Sequence, residues 1–469
     1  MRVVIGSTIR ITNPSKAVLS WCKQELELPN PDYGKKLRMG LYTGKTPPVL
    51  YLYEVRGEDV IVPYGTLKHI PVPPMTEIVK DFPYWSSMDE VRYGLPLVSL
   101  YDYQQDAVKV MLKHHVGILQ APAGSGKTQM GIAMLKNLKR KTLWITHTAD
   151  LLQQSMDRAK IYIQNPELIG TITDGKCNIS KGVTFATVQT LCRMDLSQLK
   201  HYWDVIIVDE CHRVSGTPTS MTMFSKVLNS LAARYKYGLS ATVHRADGLI
   251  RATHALLGDT VYTVPENAVA DRIMKVGVLP IGTETGISSK CLNPDGTLDY
   301  PGMVNYLAAD ERRNELIVSN IVENRDHSSL ILSARVGHLR TLMKMMPQPL
   351  QRYCVMIDGS MQTKEGRAFR EAAIEDMRSG RKRFLFATYA LAKEGLDIPR
   401  LENLYMTTPQ KDYAVVVQSV GRVARVCDGK SDPVVFDFVD KIPMLMRYWK
   451  IRCRHYRKCN AYIIGEGEH

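Results

Sequence analysis

The chain has 469 residues, of which 45% are hydrophobic and 23% charged, a composition that excludes a disordered or fibrous protein. Its 61 basic side chains outnumber the 47 acidic ones, and the formal net charge of +14 makes a polyanion the expected partner. Nine cysteines are scattered without a Cys-x-x-Cys pair, which argues against a disulfide framework. The N-terminus lacks a signal-peptide pattern, and no stretch is apolar over the roughly 18 residues of a membrane span. We therefore expect a soluble intracellular protein.

The first 98 residues differ in pattern from the rest of the chain. Residues 1–68 are predicted to form a small mixed α+β domain, because apolar alternation at Val3–Ile5 predicts a strand and Val49–Val55 with Asp59–Pro63 predicts a hairpin. Residues 69–98 contain five prolines, which cannot sustain a helix or a central strand. This segment is predicted to be a linker.

From residue 99 onward, short apolar strands alternate with helical stretches, which is typical of a parallel α/β sheet. The pattern occurs twice and predicts two α/β domains, at residues 99–264 and 310–469. Residues 265–309 are rich in Gly, Pro, Asn and Thr and are predicted to be a connector. The expected fold class is therefore α/β, with two tandem parallel-sheet lobes preceded by a small mixed α+β domain.

A basic cluster lies within the first domain. Lys35, Lys36 and Arg38 occur between Tyr33 and Tyr42. Cations interleaved with aromatic rings can hold phosphates and stack on bases, so we predict that the three cations bind nucleic acid. A solvated basic face with ordinary packing tyrosines remains an open alternative.

A phosphate-binding loop is predicted in the first α/β domain. Val116–Leu119 is predicted to be a buried strand, Met130–Leu138 an amphipathic helix, and a loop with two glycines joins them. Glycines let backbone N–H groups converge on phosphate oxygens, and the helix N-terminus adds partial positive charge. In such a loop the lysine contacts the β- and γ-phosphates and the threonine hydroxyl binds Mg²⁺. The residues predicted to bind the nucleotide are Ala121, Pro122, Ala123, Gly124, Ser125, Gly126, Lys127 and Thr128.

A second apolar strand of the same domain ends in two carboxylates. Val205–Val208 is followed by Asp209 and Glu210. Open α/β sheets bind ligands at the carboxyl ends of their strands, so both side chains are expected near the nucleotide. We predict that Asp209 binds Mg²⁺ and that Glu210 orients and deprotonates the attacking water. Lys127, Asp209 and Glu210 are thus the expected catalytic residues of this domain.

These segments and several others resemble the sequence boxes of superfamily 2 helicases. Asp209–His212 resembles motif II, Thr142–Asp150 motif Ia, Phe185–Thr187 motif Ic and Ser240–Thr242 motif III. Gln104 follows Tyr as in the Q motif, and the resemblance implies that its amide reads the adenine edge. The resemblance also implies that three residues couple hydrolysis to movement: His212, Ser240 and Thr242.

The second α/β domain carries two further boxes of this family. Ala387–Pro399 resembles motif V, which implies that Gly395 and Asp397 contribute to the nucleotide site. Gln418–Arg425 resembles motif VI, which implies that Gln418, Arg422 and Arg425 act in catalysis. The two arginines are three residues apart in a predicted helix and should share one face. In the family they reach the γ-phosphate of ATP bound to the first lobe.

Gly238–Gly248 is most similar to the branch with the XPB repair helicase and the branch-migrating helicases of the phage UvsW type. The resemblance implies two RecA-like lobes that use ATP and Mg²⁺ and contact a nucleic-acid strand through its phosphates. Any one of the predicted contact residues could instead be an ordinary turn or cap residue. By resemblance the contacts are Thr146, Lys176 and Thr187 on lobe one and Arg335, Ser360 and Thr388 on lobe two.

We therefore expect a monomeric, ATP-dependent DNA helicase or translocase that acts on forks or four-way junctions in recombination, repair or replication. An RNA helicase or RNA-stimulated ATPase is the first alternative, suggested by Cys211. The second is a duplex-binding module that uses ATP only as a switch. The expected location is the cytoplasm of a bacterium or phage-infected host, with a nuclear location also open.

Overall fold

The computed structural model describes residues 1–94, 99–122, 124–173, 175–214, 222–242, 249–265, 268–269, 273–286, 291–292, 298–359, 361, 363–393 and 396–465. The chain divides into two compact units, Met1–Pro265 and Glu266–His469. Among the helices of these described stretches, none has the length and apolar character that a membrane crossing requires.

The first unit begins with a mixed five-stranded sheet in the order β5-β6-β2-β1-β7. A separate antiparallel pair joins β3 to β4. Apolar residues of β2 and α1 face a common core, since Ile9, Ile11 and Val18 are fully buried. The elements are β1 (Arg2–Ile5), β2 (Thr8–Thr12), α1 (Lys16–Glu25), β3 (Glu27–Pro29), α2 (Pro31–Arg38), β4 (Val49–Tyr51), β5 (Glu54–Arg56), β6 (Asp59–Pro63) and β7 (Glu77–Lys80).

The predicted linker at residues 69–98 contributes the edge strand of this sheet. β7 pairs in parallel with β1, so that Arg2 lies opposite Glu77 and Ile5 opposite Lys80. The prolines flank this strand instead of interrupting it, and an edge strand needs ladder partners on one side only. The segment is therefore part of the domain rather than a tether.

The small domain packs directly on the first α/β lobe, which belongs to the same unit. Val116, Ala252 and Ala255 of that lobe lie in the same apolar cluster as the core of the small domain. At Gly65 the two backbones approach so closely that a Cβ would lie 2.5 Å from the His254 carbonyl oxygen. The buried Lys236 Nζ donates hydrogen bonds to the carbonyl oxygens of Ser7 (3.1 Å) and Leu228 (2.6 Å).

The larger sheet of the first unit has the order β11-β10-β12-β9-β13-β14-β8-β15. Its strands are parallel except for the edge hairpin of β10 and β11. The elements are α3 (Asp102–Leu112), β8 (Val116–Gln120), α4 (Lys127–Leu138), β9 (Thr142–Thr146), α5 (Ala149–Tyr162), β10 (Ile169–Thr173), β11 (Lys176–Asn178), β12 (Val183–Thr187), α6 (Val188–Arg193), β13 (Val205–Asp209), α7 (Met223–Ser230), β14 (Tyr235–Ser240), α8 (Ile250–Leu257) and β15 (Thr260–Thr263).

The second unit contains a parallel seven-stranded sheet in the order β18-β19-β17-β20-β21-β16-β22. Apolar clusters cover both faces of the sheet, as expected of a parallel α/β fold. The elements are β16 (Val276–Thr283), α9 (Tyr300–Ala309), α10 (Glu311–Glu323), β17 (Ser329–Ser333), α11 (Val336–Met345), α12 (Gln348–Gln351), β18 (Cys354–Ile357), α13 (Lys364–Ser379), β19 (Phe384–Thr388), α14 (Tyr389–Lys393), β20 (Asn403–Met406), α15 (Tyr413–Val423), β21 (Val434–Asp440), α16 (Pro443–Lys458) and β22 (Ala461–Ile463).

The predicted connector at residues 265–309 contains a strand of this sheet. β16 pairs with both β21 and β22 and is therefore an internal strand. Its Gly277, Pro280 and Gly282 gave it the composition of a loop, but Val276 and Val278 are fully buried between its neighbours. Strand pairing from distant parts of the chain overrides local propensity here.

Candidate ATP-binding site and nucleic-acid interface

Three adjacent strands of the first unit bring the predicted nucleotide site together. β13, β14 and β8 are parallel neighbours, with Asp209 opposite Leu239 and Leu119 on the far side of Leu239. The phosphate-binding loop and Glu210 therefore follow strand ends at the edge of the sheet where Ser240 ends β14. The Ala121 N–H also donates to the Ser240 carbonyl oxygen at 2.9 Å, which fixes the start of the loop against β14.

The phosphate-binding loop owes its shape to two glycines. Gly124 and Gly126 have φ values of 82° and 80°, in the left-handed region that favours glycine. The Ser125 hydroxyl donates to the Pro122 carbonyl oxygen at 2.7 Å, and α4 begins directly afterwards at Lys127. The loop thus leads into a helix N-terminus, as the sequence predicts. Ala123 lies outside the described residues.

Gln104 holds this loop from the side. It is 1% exposed, and its Nε2 donates to the Ser125 carbonyl oxygen at 2.8 Å while its Oε1 accepts from the Tyr101 N–H at 3.1 Å. The Tyr103 hydroxyl donates to the same Ser125 oxygen at 3.0 Å. In this structure the Gln104 amide therefore positions the loop, and its contact with an adenine stays a prediction.

Lys127 and Glu210 form a loose ion pair across the site. Lys127 Nζ lies 3.9 Å from Glu210 Oε1 and donates to the Ala121 carbonyl oxygen at 3.3 Å. Glu210 has a φ of 50°, which is unusual for a residue with a side chain. Both side chains are mostly buried, so a charged ligand would act on them with little screening by water.

Asp209 is buried beside Glu210 at the end of β13. Burial, and then the negative charge of Glu210, raise the pKa of Asp209 to about 6. One carboxylate oxygen accepts from the Glu210 N–H at 2.9 Å and the other from the Ser155 hydroxyl at 3.2 Å. Magnesium is usually held by one or two carboxylates together with phosphates and waters, so this carboxylate and the Thr128 hydroxyl fit such an ion. No motif pointed to Ser155, because its contact depends on how α5 packs.

The predicted coupling residues form a hydrogen-bonded chain next to Glu210. His212 Nδ1 lies 3.0 Å from the Ser240 hydroxyl oxygen and 3.3 Å from Glu210 Oε2. The Ser240 hydroxyl donates its proton to the Thr242 carbonyl oxygen at 2.6 Å. Since that proton is committed, His212 Nδ1 is the donor to Ser240. The chain joins the carboxylate edge to the segment after β14.

Cys211 is a packing residue at this edge. It is fully buried, and burial raises the pKa of its thiol well above the usual range. A Cβ added to Gly238 would lie 2.7 Å from its sulfur, so β14 needs a glycine at that point. Packing in the core of the first unit therefore explains why a cysteine side chain fits at this position.

The predicted site residues of the second unit surround α15. Arg422 donates to the carbonyl oxygens of Ala392 (2.9 Å) and Leu396 (3.0 Å), and Arg425 forms an ion pair with Asp397. α15 ends at Val423 with Ala424 as its C-cap, so the prediction that both arginines lie on one helix is wrong. Arg425 instead forms an isolated β-bridge with Ile273.

Two more predicted residues of this unit are Gln418, which is buried in α15, and Gly395, which lies outside the described residues. Both stay predictions. The sequence pattern predicted a helical motif VI, and the helix simply stops one residue after Arg422.

The predicted strand contacts fall into two groups. Thr146 and Thr187 are buried, and their hydroxyls already bond to the Thr148 carbonyl oxygen and to Thr190, both within the first unit. These two side chains therefore stabilise the loops that follow β9 and β12. Lys176, by contrast, is exposed on the edge strand β11.

In the second unit, Arg335 donates from Nε to Asn305 Oδ1 at 2.6 Å and from Nη2 to the Pro301 carbonyl oxygen at 3.3 Å. Thr388 is half-buried at the end of β19. Ser360 lies outside the described residues.

The basic cluster of the first domain lies on and after α2. Lys35 and Arg38 are exposed, while Lys36 Nζ donates to the Thr46 hydroxyl at 2.7 Å. Exposed apolar side chains accompany them, with Leu37 at 63% and Tyr42 at 90% exposure. Large apolar groups next to cations on a free surface are typical of an interaction site.

Two protein families match the chain. Residues 97–245 match the family described as type III restriction enzyme, res subunit. Residues 312–427 match the family described as helicase conserved C-terminal domain. The matches fall on the two parallel-sheet lobes and include the phosphate-binding loop, Glu210 and Arg422.

Relatives among known proteins include DNA and RNA helicases. UvsW of Enterobacteria phage T4, an ATP-dependent DNA helicase, is 23% identical over 77% of this chain and 72% of its own length. XPB2 of Sulfurisphaera tokodaii, a DNA 3'-5' translocase, is 32% identical over 35% of this chain and 36% of its own length. A protein of Acanthamoeba polyphaga mimivirus, provisionally named ATP-dependent RNA helicase L396, is 26% identical over 71% of this chain and 62% of its own length.

A solved structure shares the fold. Saccharomyces cerevisiae Dbp5 bound to RNA and ADP BeF3 matches with a TM-score of 0.53 and 16% identity, over 78% of this chain and 94% of its own. At that identity the likeness concerns the fold, two tandem RecA-like lobes, which agrees with the two parallel sheets. Together with the phosphate-binding loop, the two matched families and these relatives support an ATP-hydrolysing helicase of superfamily 2, close to the branch of XPB and UvsW.

Proposed function

We propose that this helicase acts on branched DNA, moving forks and four-way junctions by branch migration during recombination, repair or replication. The observation that carries the proposal is the packing of the small domain on the nucleotide-binding lobe through one shared core. A domain that bears the cluster of Lys35, Lys36 and Arg38 then moves with the lobe that binds ATP. While that domain holds one arm of a junction, each step on another arm would displace the branch point.

The ATP site supports this motor in a specific way. Lys127 would bind the β- and γ-phosphates, and Glu210, held 3.9 Å from it, would accept a proton from the attacking water. Thr128 and Asp209 would hold Mg²⁺, which neutralises phosphate charge when bound. Binding of the phosphates would release Lys127 from its pair with Glu210 and leave that carboxylate available as a base.

Arg422 and Arg425 would complete the site as donors to the γ-phosphate. In this structure both guanidiniums are bound within the second unit, to Ala392, Leu396 and Asp397. Their use in catalysis would require exchange of these partners for phosphate oxygens. We propose that this exchange accompanies ATP binding and that Asp397 pairs with Arg425 until ATP binds.

Branch migration suits a modest motor. On a four-way junction each base pair that is broken is replaced by one that forms, so the net cost in base pairing is close to zero. The decisive experiment compares gel-resolved products from a four-way junction and a tailed duplex, for the full chain and for Lys35→Ala/Lys36→Ala/Arg38→Ala. The variant should lose most of its junction activity and keep its nucleic-acid-free ATP turnover. Better unwinding of tailed duplex than of junctions by the unaltered chain would contradict the proposal.

RNA as the substrate is the second candidate, which the name of the mimivirus relative favours. ATP turnover with DNA and RNA strands of equal length and sequence would distinguish the two. A third candidate is a duplex-binding module that uses ATP only as a switch. It should hydrolyse ATP without displacing a third strand bound in its path along the duplex. If RNA stimulated ATP turnover more than every form of DNA did, the RNA helicase would replace our proposal.

A further inference from the structure

A cavity lies in the first unit, between the small domain and the nucleotide-binding lobe. Its volume is about 570 Å³, which is in the range of small-molecule sites. The lining includes His115 and Tyr235, which stand just before the first residue of β8 and at the first residue of β14. The ATP site lies after the last residues of the same strands. Five residues of strand, about 16 Å at roughly 3.3 Å per residue, therefore separate the two places.

Aromatic rings form most of the wall of this cavity. Tyr64 and Phe82 meet edge to face at 5.6 Å between ring centroids, and the rings of His115 and Tyr235 lie 5.0 Å apart. Tyr84 lines the cavity while remaining 91% exposed. A ring that projects into solvent beside a concave aromatic wall offers a stacking surface that the described residues leave open.

Cations share the same wall. Lys80 and Arg234 line the cavity. Burial, and then the positive charges of Arg234 and Lys80, lower the pKa of His115. Arg234 Nη2 donates to the Pro83 carbonyl oxygen at 3.3 Å, and its Nε lies 3.7 Å from Asp204, which already pairs with Arg140. Among the described residues that line the cavity, none carries a carboxylate. The cavity is thus electropositive as well as aromatic.

The aromatic segment at residues 82–85 is held in place from three points. Asp81 accepts from Lys200 Nζ at 2.7 Å and pairs with His201 Nε2 at 2.8 Å. Arg140 stacks on the Trp85 ring at 3.8 Å from its centroid. Within the part of the chain that the structure describes, the buried Trp85 Nε1 has no hydrogen-bond acceptor.

We propose that this cavity binds a nucleoside phosphate, with its base against the aromatic wall and its phosphate near Lys80 and Arg234. Stacking on aromatic rings suits every nucleobase, and cations beside the rings suit the phosphate that each base carries. A proline-rich peptide would also stack on such a wall, but it has no group that needs the cations. The same chemistry could come from a free mononucleotide or from a nucleotide at the end of a strand.

The test measures binding of 2-aminopurine riboside 5'-phosphate, and of a single-stranded oligonucleotide with terminal 2-aminopurine, by quenching of their fluorescence. Both arms use the full chain with Lys127→Ala, so that the ATP site contributes little. Tyr84→Ala/Lys80→Gln, added to that background, should weaken binding at least tenfold. A matched pair from the second unit, Tyr462→Ala/Lys275→Gln, should change it less than twofold, because neither residue lines the cavity.

Binding of the free nucleotide alone would identify a small-molecule site, and binding of the oligonucleotide alone would identify a strand-end site. Either result supports the proposal if Tyr84→Ala/Lys80→Gln abolishes it and the melting temperature of that variant matches the background. Equal affinity of the two variants for both probes would overturn it. Because the test requires no hydrolysis or strand movement, its failure would leave the proposed branch migration untouched.

Discussion

The two parallel-sheet lobes both bury charged side chains, but they use them differently. In the second unit, Arg452 makes two hydrogen bonds of 2.7 Å to Asp437, and the Tyr456 hydroxyl donates to the same carboxylate at 2.6 Å. At the ATP site of the first unit, Lys127 and Glu210 remain 3.9 Å apart. Fully paired charges hold α16 on its sheet, whereas loosely paired charges can exchange partners with a ligand. For these two pairs, close and fully buried contacts go with a structural role, and the longer contact lies at the site where a ligand is expected.

The largest effect that would test this difference is expected at Glu210. Glu210→Gln keeps the size of the side chain but removes the base, so ATP turnover should fall roughly 10²–10⁴-fold. Nucleotide binding should persist, because Lys127 keeps its place. Turnover is measured by phosphate release and binding by a fluorescent ATP analogue. A variant that binds ATP and turns over at a near-native rate would show that Glu210 is not the base.

Removal of one partner from the tight pair should cost stability instead. Arg452→Met leaves Asp437 buried without its cation, which should lower the free energy of unfolding of the second unit by about 3–5 kcal/mol. Denaturant unfolding of the full chain measures this. Arg452→Met/Asp437→Asn removes both charges and should recover much of the loss. If the double variant were no more stable than the single one, an unpaired charge would not be the cause.

Lys127→Ala should reduce turnover by roughly 10²–10³-fold, since one preorganised cation is lost from the phosphates. The melting temperature should change less than that of Arg452→Met, because Lys127 lies 3.9 Å from Glu210 whereas Arg452 makes hydrogen bonds of 2.7 Å to Asp437. Thermal unfolding and phosphate release are the two measurements. Turnover within tenfold of the unaltered chain would contradict the assignment of the site.

A third buried cation, Lys236, predicts a pH effect. Burial lowers its pKa to about 7, against about 10.4 for an unfolded lysine. Between these values the unfolded state binds more protons, so unfolding free energy should rise with pH by up to about 1.4 kcal/mol per unit. A neutral amine still has two N–H groups for Ser7 and Leu228.

Lys236→Met should remove this pH dependence. The stability difference between the unaltered chain and the variant, measured by denaturant unfolding from pH 7 to 9.5, should therefore grow in favour of the unaltered chain. A difference that stays constant over this range would mean that Lys236 keeps its proton when the protein folds.

The smallest expected effect concerns the exposed cluster on α2. Phosphate-dominated binding makes the logarithm of the affinity fall linearly with that of the salt concentration, by about 0.9 per phosphate neutralised on duplex. Lys35→Ala/Lys36→Ala/Arg38→Ala should make that slope shallower by up to about 2.7 for three lost contacts, and less on single strands. Lys16→Ala/Lys23→Ala, on exposed α1 positions, is the control. An unchanged slope would mean that the cluster is a solvated basic face that does not contact nucleic acid.

Sequence reasoning succeeded where chemistry is local. Gly124, Gly126 and Lys127 define a loop by themselves, and a run of apolar residues before Asp209 defines a strand with a carboxylate at its end. The α/β fold class followed from the alternation of such strands with helices. Each of these features depends on residues within a short stretch, which explains why the pattern alone was sufficient.

Sequence reasoning failed where a contact joins distant segments. β7 and β16 have the composition of loops and become strands only because β1 and β21 supply their hydrogen bonds. Ser155 reaches Asp209 through the packing of α5, and Gln104 reaches Ser125 across the loop. The spacing of residues within one segment cannot predict these contacts between segments.

The close approach at Gly65 also has a consequence for protein engineering. A single methyl group there would meet the backbone of α8 and its C-cap, with His254, Ala255 and Gly258 atoms all within 2.6 Å of the added carbon. Gly65→Ala would therefore act as a wedge that separates two folded parts without deleting either. Fusion partners, by contrast, belong at the β5–β6 turn, where Gly57 faces open space. Substitution of Gly65 thus separates the small domain from the lobe, and Gly57 marks a place where a fusion partner can be attached.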